Sequence, residues 1–278
     1  MDSLSRRDDR FLRSNRLIGW GVVFAILAYA FLIEPSWVSV EHHRIGSVSD
    51  NHRVRIAQLS DLHLRDIGFA EERMFSSLQS LAPDIVLLTG DVVDRPESLA
   101  VLDTFLGHIQ APLKLAVLGN WEYWGSVDLV ALGKLYDRHG VKLLVNACQK
   151  VAVGKSFVRI VGLDDFTAGR PDASKLDPAC LGGEGSLILI QHSPGFFESN
   201  QLPPGFPTAR LNLAGHTHGG QVSLFGYAFW TPPGSGAFNR GWYDSPWGRV
   251  YVSRGLGTSV AKIRFASRPE IAVFDIEP

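Results

Sequence analysis

Hydrophobic and polar positions follow two patterns in the half of the chain that begins after residue 53. Short apolar runs bounded by polar turns predict buried strands, and apolar residues spaced three and four apart predict amphipathic helices. The predicted strands are 54–59, 84–89, 113–118 and 141–145, and the predicted helices are 69–81, 97–109 and 127–139. Strands that alternate with helices indicate a largely parallel, covered sheet.

The rest of the chain is dominated by strand patterns, with few long helical ones between them. The predicted strands are 151–153, 157–161, 187–191, 211–214, 222–224, 250–253 and 271–276. Two mixed β-sheets packed face to face, with helices outside, would place both halves in one α/β domain over residues 54–278. Residues 225–248 contain eight aromatic side chains among glycines and prolines, which predicts a long irregular loop.

Residues 17–33 form an apolar segment without a charged side chain. Its length lies at the short end of the ~17–25 residues that cross a bilayer as a helix. A core helix would show a polar stripe, which this segment lacks. We therefore expect a transmembrane anchor, preceded by a basic tail (1–16) and followed by a connector (34–53). A cleaved signal or a twin-arginine signal fits less well, because apolar residues follow Ala28-Tyr29-Ala30 directly and acidic residues interrupt the arginines.

The charges around this segment predict its orientation. Five arginines precede the segment, whereas only Arg44 and Arg53 follow it closely. The positive-inside rule then places the N-terminus in the cytoplasm and the main domain outside it. We expect a single-pass protein of the cell (inner) membrane with an extracytoplasmic domain.

The composition narrows the class of partner and of metal site. Net charge is -1, and no run of Lys or Arg occurs after residue 16, so nucleic acid is not an expected partner. Cys148 and Cys180 fit neither a disulfide framework nor a thiolate zinc site, and two separate small core residues are the favoured interpretation. A single disulfide remains open if the domain is extracytoplasmic.

Residues of metal-binding type follow an apolar strand in five places. The segments are Asp61-Leu62-His63, Gly90-Asp91-Val92-Val93-Asp94, Gly119-Asn120-Trp121-Glu122, Gln191-His192-Ser193 and Gly215-His216-Thr217-His218. Each alone is a weak signal, but strand carboxyl ends in α/β folds open into one crevice where such side chains can converge. Mixed carboxylate, amide and imidazole ligands suit Mn, Fe or Zn.

In this order, the five segments resemble the calcineurin-like metallophosphoesterase superfamily, whose motifs are D-x-H, G-D-x-x-D, G-N-H-[DE], H and G-H-x-H. The resemblance spans roughly residues 54–276. The Ile33-Glu34-Pro35 opening, the G-H-T-H-G-G-Q segment and residues 252–257 are similar to the membrane-anchored YaeI/YkuE-like subfamily. Membership implies a four-layer α/β/β/α sandwich and metal-dependent hydrolysis of a phosphodiester or pyrophosphate bond.

The resemblance also implies two divalent metal ions and a set of catalytic residues. One ion would be held by Asp61, His63, Asp91 and His218, and the other by Asp91, Asn120, His192 and His216. Ions ~3.5–4 Å apart can hold a hydroxide between them that attacks phosphorus. Asp61, Asp91, Asn120 and His192 would thus be catalytic. Asp94 would either orient a ligand imidazole or be an ordinary turn carboxylate.

Trp121 departs from the superfamily pattern, which has histidine at this position. That histidine is thought to stabilise the transition state or to protonate the leaving oxygen, and indole cannot transfer a proton. Three interpretations follow: the substrate has a good leaving group, Glu122 or Tyr123 supplies the proton as a further catalytic residue, or the enzyme is slow.

The expected substrate is a lipid or lipid-linked phosphoester, because the anchor and the aromatic loop would lie near the bilayer. Simple packing of that loop over the second sheet is the competing interpretation. Hydrolysis of UDP-2,3-diacylglucosamine in lipid A synthesis, known among relatives, is an alternative, but that substrate is cytoplasmic. A second alternative function is that of a metal-binding scaffold protein with weak catalytic activity. Arg254 would bind an anionic substrate group or form a structural salt bridge.

Overall fold

The computed structural model describes residues 2–46, 53–153, 156–199 and 201–277. Residues 47–52 of the predicted connector lie outside this part. Fourteen strands are described: β1 (Ser39–Ile45), β2 (Val54–Leu59), β3 (Ile85–Thr89), β4 (Leu113–Val117), β5 (Val141–Leu143), β6 (Ala147–Val153), β7 (Ser156–Gly162), β8 (Ser186–Ile190), β9 (Leu211–Ala214), β10 (Ser223–Leu224), β11 (Tyr227–Ala228), β12 (Gly241–Ser245), β13 (Gly248–Val252) and β14 (Glu270–Ile276).

The α-helices are fewer and concentrated in the first half. They are α1 (Asp2–Ala28), α2 (Phe69–Leu81), α3 (Ser98–His108), α4 (Asn120–Trp124), α5 (Leu129–Arg138) and α6 (Pro178–Leu181). Each of the three long predicted helices after residue 53 is present, with bounds that differ from the predicted ones by two residues at most. Asp128 shows why α5 begins where it does, because its carboxylate accepts hydrogen bonds from the N–H groups of Val130 and Ala131.

Two six-stranded sheets make up the domain, with the strand orders β1-β14-β2-β3-β4-β5 and β12-β13-β9-β8-β7-β6. Strands β2 to β5 are parallel to one another, as are β7, β8, β9 and β13. The first sheet contains one antiparallel pair, β14 with β2, and the second contains two, β12 with β13 and β6 with β7, so both sheets are mixed as predicted. The parallel strands of each sheet end at one common edge.

Three apolar cores separate the layers. The core between the sheets is built from alternating strand residues such as Ile56, Leu87 and Ile188. The second core lies between the first sheet and helices α2, α3 and α5. The third covers the outer face of the second sheet, where 3-10 turns, the short helix α6 and loops take the place of long helices. The predicted fold class is confirmed, and its fourth layer is largely irregular.

Three strands occupy segments whose patterns did not predict them: the two-residue β11 in the predicted aromatic loop, and the longer β1 and β12. Strand β1 lies in the predicted connector and pairs in parallel with β14 from Ser39 opposite Glu270 to Ile45 opposite Ile276. Strand β12 lies in the predicted aromatic loop and pairs with β13. Both are edge strands with intermediate or exposed side chains, so they lack the apolar run by which buried strands are recognised.

The two cysteines are joined, which corrects the prediction of two separate thiols. Cys148 in β6 and Cys180 in α6 form a disulfide bond, with their Cα atoms 6.4 Å apart. The bond connects the edge strand of the second sheet to the short helix that covers its outer face. Sequence alone could not choose between the two states, because the residues are 32 positions apart.

The N-terminal helix continues past α1 through a π-helical turn (Tyr29–Ile33) and a 3-10 turn (Glu34–Ser36). Within it, residues 15–36 contain an 18-residue stretch with a mean hydropathy of 2.1, which is long and apolar enough to cross a membrane. Most of this stretch is exposed, as at Phe24, whose exposed fraction is 74%. A helix with apolar residues on all sides and no protein cover is typical of a membrane span.

The end of this helix is embedded in the domain. Glu34 is 0% exposed, and its carboxylate accepts hydrogen bonds from the N–H groups of Ala266 (3.0 Å) and Ser267 (2.6 Å). Just before it, the carbonyl of Ala30 accepts a hydrogen bond from the N–H of Arg264. The segment 264–267 is therefore fixed by a residue more than 200 positions earlier in the chain.

We predict that Glu34→Ala destabilises the protein, because two buried N–H groups lose their acceptor. The expected cost is about 2 kcal/mol in the free energy of unfolding, which lowers the thermal midpoint by roughly 4–8 °C for a domain of this size. Thermal unfolding of the full chain in detergent measures this shift. The matched control is Glu184→Ala, which removes an exposed carboxylate; equal midpoints for the two variants would contradict the role of Glu34.

Candidate metal centre

The five predicted segments meet where the carboxyl ends of parallel strands from both sheets face each other. Asp61 and His63 follow β2, Asp91 follows β3, and Asn120 follows β4. From the second sheet, His192 follows β8, and His216 and His218 follow β9. All seven side chains are buried. Gln58 connects the edges of the two sheets, because its amide donates hydrogen bonds to Thr89 Oγ1 in the first sheet and to the carbonyl of Ala214 in the second.

The backbone at this edge is unusual for residues other than glycine. Five of the seven residues adopt left-handed φ angles: Asp61 (53°), His63 (43°), Asp91 (52°), His216 (73°) and His218 (52°). Such angles are uncommon in L-residues and cluster at functional sites. They turn consecutive side chains of each loop inward. Gly90, with φ of +90°, allows the close approach of His192, whose Nδ1 would lie 2.5 Å from a Cβ at that position.

Asp61, His63 and His218 form one cluster that could hold a metal ion, with their ligand atoms within 4.8 Å of one another. The Nε2 atoms of His63 and His218 are 3.2 Å apart, and His218 Nε2 lies 3.5 Å from Asp61 Oδ1. Burial lowers the pKa of His218 well below its usual range, and the adjacent His63 and Arg264 lower it further. A neutral imidazole is the form that binds metal.

Asp91, His192 and His216 form the second cluster. Because the carbonyl oxygens of Thr89 and Pro233 can only accept, they fix the protons on His192 Nδ1 (2.7 Å) and His216 Nε2 (2.8 Å). This leaves lone pairs on His192 Nε2 and His216 Nδ1. Carbonyl acceptors that set the tautomer in this way are typical of metal-binding histidines.

The lone pairs of the second cluster converge without a donor between them. His216 Nδ1 lies 2.7 Å from the amide oxygen of Asn120, so two acceptors face each other. His192 Nε2 is buried and has no hydrogen-bond partner of suitable geometry among the described residues. A divalent cation would satisfy both features, so the residues present fit a metal site.

Asp91 lies between the two clusters. Its Oδ2 is 3.2 Å from His192 Nε2 and 3.8 Å from His63 Nε2, and its Oδ1 accepts a hydrogen bond from the N–H of Trp121. Burial alone would lower the pKa of His192, but Asp91 and Asp61 outweigh it and raise that pKa well above its usual range. Carboxylates that favour a positive charge here would equally favour a metal cation, which would displace the proton.

Glu122 supports this geometry but does not face the centre, so the structure does not favour it as the proton donor among the three interpretations of Trp121. Its Oε2 accepts hydrogen bonds from the N–H groups of Asp91 and Gly119, and its Oε1 accepts from Val92 and Val93. Burial and the nearby Asp91 raise the pKa of Glu122 to about 7. With both oxygens held by backbone donors, Glu122 positions the loop that carries Asp91.

Tyr123 does not reach the centre either. Its hydroxyl donates a hydrogen bond to Asp164 Oδ1 at 2.5 Å, and burial together with this partner raises the pKa of Tyr123. Asp94 lies with its Oδ2 3.8 Å from His63 Nδ1, an ion-pair distance, and it also pairs with Arg65 and Arg95. Of its two predicted roles, contact with a candidate ligand imidazole is therefore the one that the geometry favours.

An apolar cavity of about 740 Å³ opens onto the clusters. Asp91, Asn120, His216 and His218 lie on its wall. The other part of the wall is largely aromatic or aliphatic, and its large side chains are Trp121, Trp124, Phe229, Trp230 and Val260. Trp121 thus occupies the cavity wall beside the candidate ligands, with its ring 6.0 Å from that of His63.

Arg254 and Arg264 belong to the surrounding framework. Arg254 pairs with Glu41 and Glu270, which is the structural salt bridge given as one of its two predicted roles. Arg264 is fully buried and donates hydrogen bonds to the carbonyls of Arg254, Gly257 and Ser267. Sequence analysis missed Arg264, since a lone arginine in a loop carries no local signal of burial. For Glu122, by contrast, the sequence did contain a local signal, because the spacing Gly119-x-x-Glu122 is typical of an N-terminal helix cap.

Two buried carboxylate–imidazole clusters at the facing edges of two sheets are the arrangement of a dinuclear metal hydrolase. Residues 54–220 match the model of the calcineurin-like phosphoesterase family. This chain belongs to the calcineurin-like phosphoesterase family and is a hydrolase. The predicted family and enzyme class are confirmed.

Several bacterial proteins are similar over most of their length. The uncharacterized metallophosphoesterase YkuE of Bacillus subtilis is 30% identical over 265 residues, which cover 90% of this chain and 89% of YkuE. Phosphodiesterase YaeI of Escherichia coli is 29% identical, covering 89% of this chain and 92% of YaeI. UDP-2,3-diacylglucosamine pyrophosphatase LpxG of Chlamydia muridarum is 30% identical, covering 80% of this chain and 83% of LpxG.

Proposed function

We propose that this protein is a membrane-anchored phosphoesterase that hydrolyses a phosphodiester or pyrophosphate bond in a lipid or lipid-linked substrate. The observation that carries the proposal is the apolar cavity that opens directly onto the two candidate metal clusters. A polar phosphoester group would sit at the clusters, and an apolar chain would lie against Trp121, Trp124 and Val260. The names of the YaeI and LpxG relatives support both bond types.

The proposed ligand sets follow the clusters. One ion would be held by Asp61, His63, Asp91 and His218, and the second by Asp91, Asn120, His192 and His216, with Asp91 shared. The mixed oxygen and nitrogen donors favour Mn, Fe or Zn. When bound, the two ions would supply Lewis acidity toward the phosphoryl oxygens and a nucleophile derived from water. The chain itself would contribute the shared carboxylate, the tautomers fixed by Thr89 and Pro233, and the wall that orients the substrate.

Trp121 makes protonation of the leaving oxygen by the chain difficult. Indole does not ionise, Glu122 is held by four backbone N–H groups, and Tyr123 donates to Asp164. None of these three side chains can act as a general acid in this arrangement. We infer that the substrate has a good leaving group, such as the second phosphate of a pyrophosphate.

The main domain is proposed to lie outside the cytoplasm. The five arginines before the span favour a cytoplasmic N-terminus. The Cys148–Cys180 disulfide supports the same orientation, because such bonds persist in oxidising compartments. The LpxG similarity favours one alternative, a cytoplasmic domain that cleaves a nucleotide-linked lipid.

We predict that Asp91→Ala removes both metals and lowers activity more than about 100-fold, since even partners of metal ligands typically contribute 10–100-fold. Elemental analysis of the full chain measures the loss of metal. Hydrolysis of aryl phosphodiesters and lipid pyrophosphates measures the loss of activity. The control Asp137→Ala removes an exposed aspartate of α5 and should change neither the metal content nor the activity. An Asp91 variant that still holds two ions per chain would show that the ligand assignment is wrong.

We predict that the wild-type rate depends steeply on the pKa of the leaving group, because none of Trp121, Glu122 and Tyr123 can protonate the departing oxygen. Trp121→His should accelerate an alkyl diester by up to roughly 10²-fold and an aryl diester much less, since a general acid helps the most basic leaving group most. A leaving-group series at fixed pH and metal concentration gives both slopes. A shallow wild-type slope that Trp121→His leaves unchanged would assign Trp121 to packing or substrate contact alone.

We predict that alkaline phosphatase fused after residue 278 is active, since that reporter folds only outside the cytoplasm. Moving the five N-terminal arginines to positions after Ile33 should reduce its activity by weakening the charge bias. In the unmodified chain, the two cysteines should react with a maleimide only after reduction. An inactive fusion with freely reactive thiols would reverse the orientation and favour the nucleotide-lipid substrate.

A further inference from the structure

An unusually apolar surface lies at the mouth of the cavity. We call it the aromatic rim, and it consists of Leu224, Phe225, Tyr227, Phe229, Trp230 and Val260, all exposed. Phe225 is 90% exposed and Val260 is 81% exposed, values far above those of ordinary apolar residues. Soluble proteins rarely present such clusters to water, and where they do, the cluster marks an interaction site.

The aromatic rim is linked to the end of the N-terminal helix through Phe265. Phe265 contacts the ring of Tyr29, and its carbonyl accepts a hydrogen bond from the N–H of Ser223, the first residue of the β10–β11 hairpin. Gln221 extends the link, because its amide donates to the carbonyl of Ala261, next to Val260. Both parts of the rim are thus fixed to the segment that receives the helix.

The position of this contact along the helix sets the depth of the rim. Ala30, which accepts the hydrogen bond from Arg264, lies three residues before Ile33, the last residue of the uncharged apolar segment. At 1.5 Å per residue, this contact lies about 4.5 Å inside the end of the span. If the span crosses a bilayer, the segment 264–267 must lie at the membrane–water interface, and the neighbouring rim reaches the same level.

The charges near the rim suit an anionic lipid surface. Residues 223–243 and 254–269 contain no Asp or Glu. With the buried Arg264 and the salt-bridged Arg254 set aside, their basic residues are Arg240, Lys262 and Arg268. Lys262 is exposed two residues after Val260. Arg268 stacks over the ring of Trp37, 4.1 Å from its centroid, just after the span ends. Basic and tryptophan side chains in this position are typical of the lipid headgroup region.

We propose that the aromatic rim inserts into the bilayer beside the helix and holds the mouth of the cavity against the lipid headgroups. Phe229, Trp230 and Val260 belong both to the rim and to the cavity wall, so the two apolar surfaces are continuous. A phosphoester lipid would therefore enter the cavity from the bilayer, with its chain never fully exposed to water. This inference rests on the proposed membrane anchor and lipid substrate.

The test places a fluorescent label on the rim of the full chain in vesicles of phosphatidylcholine and phosphatidylglycerol. Phe225→Cys carries bimane at the tip of the hairpin, and Val130→Cys carries it on α5, at an exposed apolar residue outside the rim. The label at 225 should be quenched by lipids with a nitroxide high on the acyl chain and protected from iodide. The label at 130 should be quenched by iodide and should not be quenched by the nitroxide lipids.

Equal iodide quenching at both positions, without lipid quenching, would overturn the proposal. Protection from iodide without lipid quenching would also overturn it, in favour of a protein partner or a second copy. Neither quenching result depends on catalytic turnover. The proposed function is tested separately, by hydrolysis of a water-soluble aryl diester, so its failure can be distinguished from failure of the membrane contact.

A second measurement uses the variant with Phe225→Ser and Tyr227→Ser, neither of which lines the cavity. Its KM for a lipid pyrophosphate in vesicles should rise roughly three- to tenfold, in line with the loss of buried apolar area. Its kcat/KM for the water-soluble diester should stay unchanged. An unchanged KM for the lipid would contradict a role of the rim in admitting substrate from the bilayer.

Discussion

Two buried carboxylates, Asp61 and Asp91, set the main physical constraint on this protein. Neither is exposed to water, and a buried charge is costly unless it is paired and hydrogen-bonded. The backbone meets part of this need, since the N–H of His216 donates to Asp61 and that of Trp121 donates to Asp91. The four surrounding imidazoles meet the rest only when a proton or a cation joins them to the carboxylates. The site is therefore most stable with positive charge at its centre.

The fold brings this charge cluster together by using the edge where both sheets expose the ends of parallel strands. No single strand could supply four ligands to one ion, but each loop contributes one or two, turned inward by left-handed backbone angles. The resulting strain is maintained by contacts outside the cluster. Glu122 binds four N–H groups of two adjacent loops, and Gln58 links the edges of the two sheets. Such fixed loops allow a site whose geometry does not depend on a bound substrate.

The sequence predicted the parts of this arrangement that rest on local patterns. The buried strands and the α2, α3 and α5 helices follow from apolar spacing, and the candidate ligands follow from short motifs at strand ends. The parts that it missed depend on contacts between distant residues. Edge strands β1 and β12 lack an apolar run, the disulfide joins residues 32 positions apart, and the burial of Arg264 comes from three carbonyls of a folded loop. For Glu122, the motif was visible, but only the structure shows which way its oxygens point.

The contact between the N-terminal helix and the domain gives the proposed anchor a second, structural role. Glu34 holds the N–H of Ser267, and the hydroxyl of Ser267 in turn donates to the carbonyl of His218, a candidate ligand. A continuous path of buried hydrogen bonds therefore joins the end of the N-terminal helix to the candidate metal centre. An anchor that only tethered the domain would need no such path and would be followed by a polar, flexible linker. Here the last turns of the helix form part of the wall that supports the site, so removing residues before 37 would leave buried donors unsatisfied beside His218. The helix is consequently a structural element of the catalytic domain as well as its proposed attachment to the membrane.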